Sequence, residues 1–452
     1  MEEIRDEIQK IRELVEEKKL NELREILNDA NSVDISVILE ELSEELDKEK
    51  ILIAFRILNK EKAGEVFSYL SPEMQEKLIV RLTDAEIKNV VDELFMDDMV
   101  DLLEEMPSNV VKRILKNVKK EDRVIINELL KYPEDSAGSI MTTEFVDLKE
   151  NMTVEEALNK IRKIGLEKET IYYCYVLTKN RTLIGTIDLK KLVIREKDEK
   201  IKDLMETNVI KVTTLEDKEN VAKTFSKYNF LALPVVDKED KLVGIVTFDD
   251  AIDVIQDEAT EDLEKMAAIA PSEDSYFTTG TFTHAKNRIV WLLILMLSAT
   301  VTGGIITKYE NAFAAIPLLV SFIPMIMGTG GNCGAQSSTL IIRGLATDEI
   351  EVRDILKVIW KEIRVAIVVG LWLAVLDGLY IIIRYQNPML ALTLGLTLML
   401  TVILAKLIGC CLPLLAKVLK LDPALMASPL ITTIVDTFSV LIFFNVATMI
   451  ML

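Results

Sequence analysis

The chain has 452 residues, a formal net charge of −20, half of its residues hydrophobic, and one histidine, His284. So acidic a chain repels nucleic-acid phosphates. A lone histidine cannot build an imidazole-rich zinc or iron site, nor supply a Ser-His or Cys-His pair away from residue 284. The charge is unevenly divided. Residues 285–452 hold 12 Lys and Arg against 9 Asp and Glu, a net of +3, which leaves −23 on residues 1–284. Such an acidic surface suits hard, oxygen-ligated cations.

Residues 1–132 read as an all-helical domain. Apolar residues recur at three- and four-residue spacing: Ile4, Ile8, Ile11 and Val15, then Met99, Leu102, Leu103 and Met106, then Val110, Val111, Ile114 and Leu115. Ser71-Pro72 and Met106-Pro107-Ser108 mark helix boundaries within a small helical stack. The opening MEEIRDEIQK is acidic and reads as neither a signal nor a transit peptide, which predicts a cytosolic N-terminus. Asp97, Asp98 and Asp101 crowd one helix start, where the simplest reading is a favourable placement on the helix dipole.

Residues 133–256 contain an internal repeat. Ser139-Ile140-Met141-Thr142 is echoed 64 positions later by Asp203-Leu204-Met205-Glu206. A short strand follows each (145–148 and 209–212), then a helix from Thr153 or Leu215, then two strands (174–177 with 183–187, and 233–236 with 242–246) and a closing helix. This β-α-β-β-α order in two copies resembles a tandem of cystathionine-β-synthase (CBS) repeats, an α+β module. In that family a Thr or Ser followed three residues later by Asp holds a nucleotide ribose. Thr247 and Asp250 match, whereas the first repeat has Asp188 and Lys191. The resemblance therefore leaves one cleft as a candidate for a nucleotide such as ATP.

Residues 257–284 begin as an acidic helix with Asp257, Glu258, Glu261 and Asp262 and become polar at 272–275, a natural link from a regulatory module to a membrane domain. Residues 285–452 then contain five apolar runs, near 288–306, 312–345, 363–384, 388–419 and 425–452, each long enough for a bilayer that needs ~20 residues. Arg343, Arg353, Lys357, Lys361 and Arg364 follow the second run, and Lys417 and Lys420 follow the fourth. By the positive-inside rule both connections face the cytoplasm, which puts the N-terminus inside and the C-terminus outside. Cys174, Cys333, Cys410 and Cys411 form no CxxC pair and read as reduced packing residues.

Two membrane segments carry the chemistry. The second run contains Pro317 and Pro324 and then Gly328-Thr329-Gly330-Gly331-Asn332-Cys333-Gly334-Ala335-Gln336-Ser337-Ser338-Thr339. Glycines alone would suggest close helix packing, but Asn332 and Gln336 add oxygen donors that survive at this depth only within protein or beside water. The fifth run contains Asp436, whose carboxylate costs roughly 2.5–3.5 kcal/mol to insert and so belongs in a bundle interior or on an aqueous path. Thr432 and Thr433 share its helical face, and Pro429 is expected to free a carbonyl near Leu425. Asp377 is a second intramembrane acid, expected to face an outer vestibule or to pair with a polar group rather than to serve as a pore ligand.

The combined features resemble the MgtE family of magnesium channels over essentially the whole chain: the helical N domain, Tyr132 to Thr142, the CBS pair, a connecting helix, the Gly330–Gln336 stretch and the Ser428-Pro429…Asp436 stretch. The resemblance implies a homodimer in the cytoplasmic membrane with one pore on the two-fold axis. Asp436, Asn332, Gln336, Thr432 and Thr433 would line it, and two Asp436 carboxylates would face a hydrated Mg²⁺, an ion that keeps several of its waters. It also implies closure by cytosolic Mg²⁺ bound among Asp97, Asp98, Asp101, Glu219, Asp250, Asp253, Glu258, Glu261 and Asp422. Asn229 is neutral where a carboxylate ligand would strengthen one such site. The competing readings are a cation-coupled exchanger of divalent metals and a membrane-anchored nucleotide sensor. A sensor has no need of Asp436 or Asn332 within the membrane, and no Walker motif is present.

Overall fold

Among the described residues ten helices, from Glu2–Glu16 to Lys120–Leu129, build the first part of the chain by stacking on alternate neighbours. The third packs on the fifth, the fifth on the seventh and the seventh on the ninth. Their apolar stripes meet in one continuous core that includes Leu23, Leu27, Ile38, Phe67, Ile87 and Ile114, all but sealed from solvent. Each such side chain contributes about 1.5–3 kcal/mol by burial. A capping box at Thr83, closed by Glu86, starts the helix Asp84–Val91. The structure is a computed structural model that describes residues 2–45, 47–272, 276–277, 279–309 and 316–451. The polar end of the connector at 273–275 and the expected start of the second span at 312 lie outside the described residues.

The repeat folds as two three-stranded sheets. In the first, β1 (Val146–Lys149) lies parallel to β2 (Tyr173–Leu177), which pairs antiparallel with β3 (Leu183–Asp188). In the second, β4 (Val212–Thr213), β5 (Ala232–Val236) and β6 (Leu242–Thr247) repeat that order. The parallel step needs a crossover, supplied by the helices Val154–Ile164 and Lys218–Tyr228. The first strand of each copy sits later than the sequence suggests, because its pairing begins at Val146↔Cys174 and Val212↔Val235.

The echoed tetrapeptides have a structural reason. Thr142 exchanges backbone hydrogen bonds with Ile245 of the second sheet, at 2.8 and 2.9 Å, and Glu206 does the same with Thr186 of the first. Each leading segment thus extends the sheet of the other repeat. Its methionine lies across a glycine: a Cβ on Gly244 would fall 2.9 Å from the Met141 sulfur, and one on Gly185 2.7 Å from that of Met205. The Met and Gly of each copy are a matched pair exchanged between copies.

By its contacts the chain divides into two units, Met1–Ile255 and Gln256–Leu452. The closing helix of the second CBS repeat and the expected connector are one helix, Phe248–Met266, since no Gly or Pro interrupts it. Among the described residues the second unit has five helical spans: Thr281–Lys308, Pro317–Ala346, Val352–Tyr385, Pro388–Val418 and Pro423–Met451. The chain is a multi-pass membrane protein. The third helix starts at Ile355, ahead of the apolar run, because its charged first turns keep their hydrogen bonds within the helix. The fourth span packs against the second, third and fifth and buries Leu394, Leu398, Val402 and Ala405. Large side chains of the first and third spans, such as Leu297, Leu371 and Trp372, point outward as a lipid-facing surface requires. All four cysteines are free thiols, three of them buried.

Among Pro317, Pro324 and Pro429, Pro429 acts differently from expectation. Pro317 opens a 3-10 segment, Pro317–Phe322, and Pro324 lies in the first turn of Ile323–Ala346. Pro429 lies in the first turn of Ser428–Met451, after a 3-10 turn at Pro423–Met426. First-turn N–H groups have no intrahelical partner, so these prolines start helices, and Pro429 frees no carbonyl.

Candidate ion path and acidic regulatory face

The Gly-rich helix Ile323–Ala346 has two faces of different character. Gly330, Gly331 and Gly334 are buried against the fourth and fifth spans. A Cβ on Gly331 would stand 2.7 Å from Cγ2 of Thr432, one on Gly334 2.7 Å from Cγ2 of Ile431, and one on Gly330 2.8 Å from Oγ of Ser439. These glycines allow backbone-close packing. Gly328, Asn332 and Gln336, spaced by four, are exposed along a separate stripe, with nothing within 4 Å of the Gly328 Cβ position. Packing and polar exposure thus occur on the same helix, on different faces.

Contacts from Gly334 to Ile431, Gly331 to Thr432, and Gly330 to Val435 and Ser439 show the second and fifth helices running antiparallel. One turn beyond Thr432, Asp436 therefore lies at about the depth of Gly328. Asp436 is half-buried, and its Oδ1 has no hydrogen-bond partner among the described residues. A buried carboxylate oxygen without a donor is costly unless something cationic or aqueous satisfies it. The Thr433 hydroxyl donates to the Pro429 carbonyl at 2.8 Å, and Thr437 is 2.7 Å from the Thr302 hydroxyl of the first span. Thr433 is thereby engaged with its own helix, whereas Thr432 lies against Gly331. Asp377 also has a buried oxygen, Oδ2, without a hydrogen-bond partner among the described residues.

Sequence reasoning missed a buried ion pair behind this helix. The Lys406 ammonium of the fourth span lies 3.5 Å from Oε2 of Glu362 in the third. Ser337 donates to that same Glu362 oxygen at 2.6 Å and accepts from Lys406 at 3.0 Å. The signal available was one charge inside the fourth apolar run and one at the edge of the third, but nothing in their spacing, 44 residues, says that they meet.

In the first unit the acidic helix Met96–Glu105 docks on the second CBS repeat through Val100, which shares a core with Met141, Leu233 and Val246. This docking brings Asp97, Asp98 and Asp101 towards Asp250. Burial, then the charges of Asp250 and Asp249, push Asp98 up to about 7. Burial and the charge of Asp250 hold Asp97 well above the usual carboxylate range. Asp101 keeps an exposed side and is also raised, by burial and then by Asp250. Asp250 itself is pushed up to about 6 by burial. Glu169, absent from the sequence-derived set, is pushed up to about 8 by burial and by Asp249 and Asp250. Its Oε2 lacks a partner among the described residues. The carboxylates converge on one face, although no group of three among the described residues is arranged to hold a single ion.

The remaining expected sites are more dispersed. Glu219 lies in the first turn of Lys218–Tyr228 and pairs with Lys223 at 2.6 Å. Asp253 is exposed, and Glu258 is half-buried on the same helix. Asn229 ends its helix in a left-handed conformation, φ 55°, a position that favours Asn over a carboxylate ligand. Thr247 donates its hydroxyl to the Asp250 carboxylate, and its N–H lies 3.3 Å from the same oxygen. The first-repeat counterpart, Asp188, caps its helix by accepting from Lys191 N at 3.0 Å. At the far end of the connector, Lys265 joins Glu261 at 2.5 Å to Asp422 at 2.7 Å. Burial alone would lower the Lys265 pKa, but the two carboxylates outweigh it and raise it. A lysine thus stands between two of the residues expected to take part in regulatory cation binding.

Comparison with known proteins identifies the family. The family described as MgtE, divalent cation transporter, matches residues 323–446. The MgtE intracellular N domain matches 39–135, and the CBS domain matches 137–196 and 201–257. The chain is 36% identical over 447 residues to the magnesium transporter MgtE of Thermus thermophilus, covering 97% of each chain. It is 33% identical over 435 residues to that of Bacillus subtilis, covering 96% of this chain and 95% of the relative. A crystal structure of the soluble part of a magnesium transporter superposes with a TM-score of 0.53 at 31% identity, over 57% of this chain and 99% of that one. The cytosolic domain of the Mg²⁺ channel MgtE in complex with ATP superposes at 0.52 and 35% identity, over 55% and 99%. The described helical N domain, CBS pair and five spans, matched along nearly their full length, show that the chain belongs to the MgtE family of magnesium transporters.

Proposed function

We propose that this chain is a magnesium channel of the cytoplasmic membrane, working as a homodimer and closed by cytosolic Mg²⁺. Its relatives are named as transporters, and transport rather than catalysis is the activity. The observation that carries the reading is the unsatisfied Asp436 carboxylate at the depth of the open Gly328, Asn332 and Gln336 stripe. One carboxylate is too little charge for a divalent ion, so a second protomer supplies another across a two-fold axis. The pair attracts hydrated Mg²⁺ by its field, and the amide oxygens of Asn332 and Gln336 receive its water shell. The N-terminus and soluble domains lie in the cytosol, the C-terminus outside, and lipid covers the first and third spans.

Closure follows from the crowded carboxylates. Asp97, Asp98, Asp101, Glu169 and Asp250 approach only if protons or cations neutralise them. Mg²⁺ among these groups, and among Asp253, Glu258, Glu261, Glu219 and Asp422, would hold the docked arrangement and the connecting helix. A nucleotide such as ATP at Thr247 and Asp250 would compete for the same Asp250 carboxylate. Purified protein in liposomes tests the path: Asp436→Asn keeps shape and removes charge, and is expected to reduce Mg²⁺ uptake by more than tenfold. Unchanged uptake and selectivity would refute the assignment.

A further inference from the structure

The Glu362–Lys406 pair joins three spans behind the helix that carries Asn332 and Gln336. Glu362 is 7% exposed and Lys406 5%. Ser337, fully buried, bridges them from the position next to Gln336. One turn away the second and fourth spans touch backbone to backbone: a Cβ on Gly409 would fall 2.3 Å from the Gly334 carbonyl oxygen. A buried pair is rarely a source of net stability, since hydrophobic residues of like volume pack as well, but removing one partner leaves the other charge uncompensated.

We propose that Glu362 tunes the field of the ion path: it neutralises the Lys406 ammonium that lies behind the helix carrying Asn332 and Gln336. The proposal rests on reading the open stripe as the path. A helix with side chains is roughly 10 Å across, which puts Lys406 on the order of 10 Å from that stripe. An uncompensated positive charge at that range repels a divalent ion and lowers its occupancy by about tenfold to a hundredfold at intermediate effective dielectric. An uncompensated Glu362 does not repel it. The sign of the leftover charge, and not merely the loss of a bond, therefore decides the outcome.

The test compares Mg²⁺ uptake in liposomes by the full chain carrying Glu362→Gln, Lys406→Met, or both, each checked for intact size in detergent. Glu362→Gln, which leaves the ammonium alone, is expected to lose at least about tenfold. Lys406→Met and the double variant are expected to stay within about threefold of the unaltered chain. Equal loss in both single variants without recovery in the double, or normal uptake in Glu362→Gln, overturns the proposal. If Glu362→Gln cannot be purified, Lys406→Met decides alone, because a tenfold loss there contradicts the sign argument. Asp436→Asn, run in parallel, separates the two readings. Normal uptake in it with the charge pattern intact refutes Asp436 but supports the pair, and loss in it without the pattern refutes only the pair.

Discussion

Without divalent ions, docking of the helix Met96–Glu105 on the second CBS repeat should weaken as pH rises. Asp98 is pushed from 3.8 up to about 7 by burial and by Asp250 and Asp249. A carboxylate raised on docking holds its proton in the docked state while the undocked state has lost it. The docked form therefore binds more protons between about pH 4 and pH 7, and its stability falls across that window; below pH 4 the contribution is fully present. A rise from 3.8 to about 7 corresponds to about 4 kcal/mol between the protonated and charged forms. Partial solvent access and coupling to Asp250 reduce this to about 2 kcal/mol, roughly thirtyfold in the docking equilibrium. Spin labels on the N domain and the CBS pair, read in chelator from pH 5 to pH 8, measure it. The docked fraction should fall with pH, Mg²⁺ at pH 7.5 should restore it, and Asp98→Asn should flatten the slope. Docking that is indifferent to pH, or that strengthens as pH rises, would refute the argument.

Two further outcomes follow from particular contacts. Lys265→Met leaves Glu261 and Asp422 facing without their cation, so a divalent ion should replace it and uptake should close at lower cytosolic Mg²⁺; a higher closing concentration would contradict this. Gly409→Ala sets a methyl against the Gly334 carbonyl, which is backbone and cannot rotate aside. It should destabilise the membrane unit by about 1–3 kcal/mol, visible as a lower melting temperature in detergent.

Much of this protein is local and so was legible in the chain. The CBS repeat declares itself because strand alternation, Met141 and Met205, and the capping Thr153 with Glu156 are all short-range patterns. The spans follow from apolar length, and Asp436 stands out because a charge in such a run has few physical excuses. Three-residue spacing put Asp97, Asp98 and Asp101 near one helix start. It could not say that Glu169, 68 positions beyond Asp101, joins them, because that meeting depends on how the N domain docks. The same limit hid Lys265 between Glu261 and Asp422, and Lys406 beside Glu362. Pro429 was misread because whether a proline breaks or begins a helix depends on where the preceding turn ends. Periodicity and burial of one segment are written in that segment's own residues. Which charges meet is decided by contacts between segments far apart in the chain, where closing the loop costs entropy and only packing selects the partner.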